Sequence, residues 1–122
     1  MTGSILIIEN EGLVREALTD ILNLAGWFTL EAVNGREAIT TFQTHQHDID
    51  LIVMDMRLPD MYGTEVLGQL ETIQPDVPVV VTSGEEKIKL SNQFKAHPNV
   101  SILPKPYDID GVVQHIKQRL SV

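Results

Sequence analysis

The chain has 122 residues, 43% of them hydrophobic, no cysteine, and a formal net charge of −8 from 17 acidic against 9 basic residues. That length holds one core and little besides, so residues 1–122 are expected to form one domain. The composition excludes a disordered chain and any disulfide, thiolate-metal or cysteine-nucleophile chemistry, and the acidity repels nucleic acid over most of the surface.

Met1-Thr2-Gly3-Ser4 leads into a strand without the charged and apolar regions of a signal peptide, and no apolar run approaches a bilayer span. The expected compartment is the cytoplasm, with no membrane contact. The first strand, Ile5-Leu6-Ile7-Ile8, runs into Glu9-Asn10-Glu11. Val14, Ala17, Leu18, Ile21, Leu22 and Ala25 then recur at helical spacing, and Gly26 stands where a C-terminal cap glycine belongs. Residues 28–32 read as a short strand, Asn34-Gly35 as a turn, and residues 36–46 as a helix with Ala38, Ile39 and Phe42 inward.

The third strand, Ile49-Asp50-Leu51-Ile52-Val53-Met54, closes on Asp55. Met56-Arg57-Leu58-Pro59-Asp60-Met61-Tyr62-Gly63 cannot continue it past the proline. Asp55 therefore stands at the carboxyl end of a buried strand, eight residues from Gly63 and too far away to cap the next helix. That helix is expected over residues 65–74, with Val66, Leu67, Leu70 and Ile73 on one face, and Pro75-Asp76-Val77-Pro78 ends it. Val79-Val80-Val81-Thr82 is a fourth strand running into Ser83-Gly84. Residues 85–97 carry a weak helical signal, from Ile88, Leu90 and Phe94 alone. A fifth strand, Val100-Ser101-Ile102-Leu103, runs into Pro104-Lys105-Pro106, and a last helix from about Asp108 carries Ile109, Val112, Val113, Ile116 and Leu120. His45, His47, His97 and His115 read as surface residues rather than metal ligands.

Five alternations of apolar strand and helix imply a parallel sheet covered on both faces. Four of the strands end in a cluster of oxygens, a carboxylate, a hydroxyl beside a glycine, and an ammonium. In the order acid pair, Asp-Met-x-Leu-Pro-x-x-x-Gly, Thr-Ser-Gly and Lys-Pro, this set resembles the receiver (phosphoacceptor) domain of two-component response regulators, over essentially the whole chain. The resemblance implies a flavodoxin-like (βα)5 three-layer α/β sandwich, its five-stranded parallel sheet in the order 2-1-3-4-5, which sets the first and third strands side by side.

It also implies roles. Asp55 falls on the phosphorylated aspartate, Glu9 and Asn10 on the acidic pair, and Arg57 on the residue lending its backbone carbonyl to a metal ion. Mg2+ takes oxygen ligands and keeps several waters, a demand these residues match. Counting five residues from Pro78, as in the family's pattern, selects Ser83 over Thr82 as the hydroxyl that bonds a phosphoryl oxygen. Gly84 leaves space and a backbone N–H beside it. Lys105 balances negative charge, and Lys105-Pro106 is the candidate cis peptide.

Two positions depart from the family's commonest pattern. Asn10 is neutral where a second acid is usual, leaving a formal charge of −2 from Glu9 and Asp55, so weaker metal affinity is expected. Ile102 stands where an aromatic is frequent, so a switch would involve Ser83 and residues 85–97 without an aromatic flip. Tyr107 is expected to pack in the core or at a helix start.

The function this implies is phosphorelay signalling. A histidine kinase or a histidine phosphotransfer protein supplies the phosphoryl group, and a downstream output domain or protein reads the altered conformation over roughly residues 85–120. Apart from its own phosphorylation the domain is not expected to be an enzyme, nor to touch nucleic acid directly. Pairing of two copies through the last helix and its neighbours is compatible with this reading. The alternative is a receiver-like interaction module independent of phosphate, which Asn10 and Ile102 favour and Asp55, Ser83 and Lys105 oppose. A phosphohydrolase would need a second acid, commonly two residues after the nucleophile, where Arg57 stands. An FMN-binding flavodoxin would need a Ser/Thr/Gly-rich phosphate loop after the first strand.

Overall fold

A computed structural model describes residues 3–120. Ten elements alternate: β1 (Ser4–Ile8), α1 (Gly12–Leu24), β2 (Phe28–Ala32), α2 (Gly35–His45), β3 (Ile49–Asp55), α3 (Gly63–Ile73), β4 (Val79–Ser83), α4 (Lys87–Gln93), β5 (Val100–Pro104) and α5 (Ile109–Leu120). The five strands are all parallel and lie in the order β2-β1-β3-β4-β5. The expected flavodoxin-like topology is the observed one.

Strand periodicity divides the core. Leu6 and Ile8 face one way, with Ile52 and Met54, and pack with Ala38 and Phe42 of α2, Val66, Leu67 and Leu70 of α3, and Leu90 of α4. Ile5 and Ile7 face the other way, with Leu51 and Val53, and pack with Leu18 and Leu22 of α1 and Val112 and Ile116 of α5. A strand buried on both faces has to be apolar at every position, which is why these runs lack polar alternation. Among the described residues no helix is long and apolar enough to cross a membrane.

Several local expectations are corrected. Gly63 begins α3 two residues before the expected start, its N–H donating to the Met56 carbonyl at 2.9 Å. A Cβ on Gly63 would lie 2.9 Å from Met56 Sδ and 3.2 Å from the Met56 carbonyl oxygen, so a larger residue there would force Met56 to shift. Gly26 ends α1 with φ 101°, as a cap glycine does. Ala17, Ala25 and Ile109 are exposed, not inward, and in the weak segment Ile88 is exposed while Leu90 is buried. His97 and His115 are half-buried and bonded rather than free surface groups: His97 Nδ1 lies 2.9 Å from Glu71, and His115 Nε2 lies 2.8 Å from Ser101 Oγ.

Candidate functional site

The carboxyl ends of β1, β3, β4 and β5 meet at one edge of the sheet. Because β1 pairs directly with β3, Glu9 and Asp55 sit on adjoining strand ends. Lys105, just beyond β5, reaches across to both: its Nζ is 3.5 Å from Asp55 Oδ1 and 4.0 Å from Glu9 Oε1. The backbone under Lys105 is fixed by its N–H, which donates to the Ser83 carbonyl at 2.8 Å, and the Lys105-Pro106 peptide is cis.

Glu9 is only 2% exposed. Burial pushes its carboxyl above the usual glutamate value. The Glu11 N–H, donating to Glu9 Oε2 at 3.0 Å, opposes that shift, the charge of Asp55 adds to it, and Lys105 partly offsets it. Asp55 is half-buried and accepts from the Arg57 N–H at 3.5 Å. Tyr107, half-buried against the α1–α5 side of the core as expected, has its phenol pushed up to about 12 by burial and by the negative charges of Glu9 and Asp55.

Ser83 is buried at the end of β4, and its Oγ accepts the Glu85 N–H at 3.0 Å. Thr82, its competitor, is buried beside Asp55 in the β3–β4 ladder, and its backbone carbonyl accepts the Met56 N–H. The space at Gly84 is open, since a Cβ there would meet nothing within 4 Å. Asn10 is exposed at the rim. Ile102 is half-buried against the α2–α4 side of the core, so it is not turned toward the acid cluster.

Sequence reasoning did not foresee three arrangements around this edge. Arg57 turns its guanidinium to Glu85 at 3.1 Å, and the Tyr62 hydroxyl donates to the same carboxylate at 3.3 Å, linking the loops after β3 and β4. Asp60 accepts the Gly35 N–H at 2.8 Å and the Arg36 N–H at 2.9 Å, clasping the start of α2 to the loop that follows Asp55. Arg15 donates to the Glu9 and Asn10 carbonyls. The sequence signal for each is one charged residue in a loop or at a helix start.

Among the described residues no group of three or more His, Cys, Asp or Glu side chains is placed to hold a metal ion. The oxygen groups this edge brings together are instead two carboxylates, Glu9 and Asp55, both within 4.0 Å of Lys105 Nζ. Paired carboxylates suit a hard ion that keeps waters, and the burial of Glu9 beside Asp55 is opposed in part by the Glu11 N–H and by Lys105.

Comparison with known proteins agrees with this architecture. The sequence is 27% identical over 120 residues to the sporulation initiation phosphotransferase F of Bacillus subtilis, covering 98% of this chain and 95% of that protein. It is 26% identical over 119 residues to the sensor kinase CckA of Brucella abortus, where the match spans 98% of this chain but 13% of the kinase. The crystal structure of a receiver domain from the hybrid histidine kinase CckA superposes with a TM-score of 0.83 at 30% identity, over 97% of this chain and 99% of that one. The chemotaxis protein CheY4 of Vibrio cholerae shares the fold, with a TM-score of 0.90 at 21% identity over 98% of this chain and all of that one. The profile of the response regulator receiver domain matches residues 5–117, and the chain belongs to that family.

Proposed function

We propose that residues 1–122 are one receiver domain, and that Asp55 accepts a phosphoryl group from a phosphohistidine on a histidine kinase or a histidine phosphotransfer protein. The observation that carries this reading is the Asp55–Lys105 contact of 3.5 Å beside the buried Glu9, three groups delivered by three different strand ends. The similarity to a sporulation phosphotransferase and to the receiver of a hybrid kinase supports a phosphohistidine donor.

In the transfer, an Asp55 carboxylate oxygen attacks phosphorus in line with the P–N bond. That bond breaks, the imidazole nitrogen keeps the electron pair and is reprotonated, and Asp55 becomes an acyl phosphate. Lys105 sets its ammonium against the charge on the equatorial oxygens. The Ser83 hydroxyl accepts from the Glu85 N–H and so has its own proton to donate to a phosphoryl oxygen. The open space at Gly84 lets that oxygen approach the backbone. Glu9, Asp55, the Asn10 amide oxygen and the Arg57 carbonyl would hold Mg2+, which, when bound, supplies charge neutralisation at the phosphoryl oxygens.

The readout is a conformational change recognised by an output domain or protein. Residues 85–120 are the surface we assign to it: α4 spans seven residues and is anchored to the core by Leu90, with Phe94 following it. Ile102, packed against that side of the core, has no polar tip to relocate.

Intact mass after incubation with Mg2+ and a small acyl-phosphate donor tests the assignment. A gain of one phosphoryl group is expected, abolished by chelator and by Asp55→Ala. No gain even from a phosphohistidine protein donor, together with no amide NMR response to Mg2+, would leave the phosphate-independent interaction module.

A further inference from the structure

The phosphoryl chemistry makes no use of Arg15, yet its guanidinium is bonded through both Nε and Nη1. It stands in the first turn of α1, its own N–H donating to the Glu11 carbonyl at 2.9 Å. Its Nη1 donates to the Glu9 carbonyl at 2.9 Å and reaches the Asn10 carbonyl at 3.4 Å, and its Nε pairs with Glu31 Oε1 at 3.2 Å. The Arg15 side chain is 21% exposed, against 74% for Arg57, so this is a held guanidinium rather than a solvated one.

These contacts act on the backbone that carries Glu9 and Asn10. The Glu9 N–H donates to the Ala32 carbonyl at 3.0 Å, so with Arg15 on its carbonyl the residue is tied at both ends. Asn10 follows within the same strap. Fixing two successive peptide groups fixes the directions in which the two side chains leave the chain. We propose that Arg15 is a positioning residue for the cation site, preorganising the Glu9–Asn10 loop while Glu31, at the sheet's β2 edge, neutralises its charge. The inference rests on the reading that Glu9 and Asn10 hold Mg2+.

Charge and position pull in opposite directions, which makes the inference testable. A guanidinium near a divalent-cation site weakens binding by repulsion, so removing it should tighten Mg2+ if charge is its only effect. As a strap, its removal should loosen the loop and weaken Mg2+. Lysine keeps the charge but lacks the planar fork that reaches two carbonyls and a carboxylate together.

The experiment is a Mg2+ titration of the whole chain followed by backbone amide NMR shifts, on wild type, Arg15→Ala and Arg15→Lys, with amide hydrogen exchange measured before metal is added. Both variants are expected to bind Mg2+ roughly tenfold more weakly, the low end for partners that orient metal ligands. Both should also exchange the Glu11 amide faster in the metal-free state, where no loading is involved. Affinity in Arg15→Ala equal to or tighter than wild type overturns the proposal. Absence of any Mg2+ response in wild type overturns the cation-site reading and this inference with it, and is told apart because it appears before any variant is compared. Should Arg15→Ala lower the far-UV helical signal, Arg15→Lys carries the comparison.

Discussion

Glu9→Gln should make the metal-free protein more stable while removing its response to Mg2+. The wild-type carboxylate is 2% exposed, and taking such a group out of water costs several kcal/mol. Its attraction to the Lys105 ammonium at 4.0 Å returns about 4 kcal/mol at an effective dielectric of 20. Repulsion from Asp55 cancels part of that, and burial is the dominant influence on the Glu9 carboxyl. The amide of glutamine can still accept the Glu11 N–H, so the bond that opposes the shift survives. The net gain is expected to be about 1 kcal/mol near pH 7.5, which for this length is roughly 3–6 °C in Tm. The sign with pH follows from the raised carboxyl. Below the unfolded value of 4.5 the wild-type group is protonated in both states and folding gains nothing from its replacement. As pH rises through its folded value the wild type loses stability that the variant keeps, so the two melting curves separate. Saturating Mg2+ reverses the order, because ligand at a hundred times Kd adds about 2.7 kcal/mol to the form that binds it. Differential scanning calorimetry from pH 4 to 8, with and without Mg2+, reads all of this. A metal-free Glu9→Gln less stable than wild type at pH 7.5 would refute the reasoning, since it would mean that Lys105 outweighs burial.

Asn10→Asp should tighten Mg2+ by about threefold to tenfold, since a third formal negative charge joins Glu9 and Asp55 at the proposed cation site. Amide NMR shifts are the readout, because Trp27 precedes β2 at the end of the sheet opposite Asp55 and its fluorescence is remote; equal affinities would show that the neutral amide is no handicap. Asp60→Ala should cost about 1 kcal/mol by urea unfolding, because two N–H groups at the start of α2 lose their acceptor. Those same N–H groups hold the Asp60 carboxyl below its ordinary 3.8, so the contribution is whole above that pH and is lost as pH falls through the folded value. A gap between wild type and variant that widened in acid would contradict that sign.

The strands and the faces of most helices were legible because burial writes them directly into the chain. Leu6 and Ile8 against Ile5 and Ile7 is a period of two, and Val66, Leu67 and Leu70 is a period near 3.6. Helix ends were less legible. The start of α3 depends on Gly63 closing onto Met56, a contact that no periodicity encodes. Ile109 and Ala17 follow helical spacing yet lie outside, because a short apolar stripe does not say how wide the covering neighbour is. The acids, hydroxyl and lysine at the site were legible through their common place at strand ends. The ties of Arg15 to Glu31, Asp60 to Gly35 and Arg57 to Glu85 were not, since they join residues 16, 25 and 28 positions apart whose charges read individually as solvated. His97 and His115 were misplaced for the same reason, their partners Glu71 and Ser101 lying on other elements.

Rigid and soft parts of this edge divide at Ser83. On the near side, Asp55 and Ser83 end strands in the middle of the sheet, and Lys105 is bonded through its N–H to the Ser83 carbonyl, so displacing any of them disturbs the core. On the far side, Glu85 is held by an exposed Arg57 pair, worth under about 1 kcal/mol, and by a tyrosine hydroxyl. Beyond it α4 and the residue after it bury Leu90 and Phe94, which returns roughly 3–6 kcal/mol. Ordering the seven residues of α4 costs at least as much in backbone entropy, about 1–2 kcal/mol each, before its hydrogen bonds are counted. The element nearest the hydroxyl is thus only weakly held by its own burial. Inverting a two-state population from 1:99 to 99:1 takes about 5.5 kcal/mol of differential interaction. At the proposed site, a doubly charged phosphoryl group between Lys105 and Ser83 would act on the stiff side of that boundary and meet its least resistance on the α4 side, so a change of charge at one strand end would be read on a helix face rather than dissipated in the sheet.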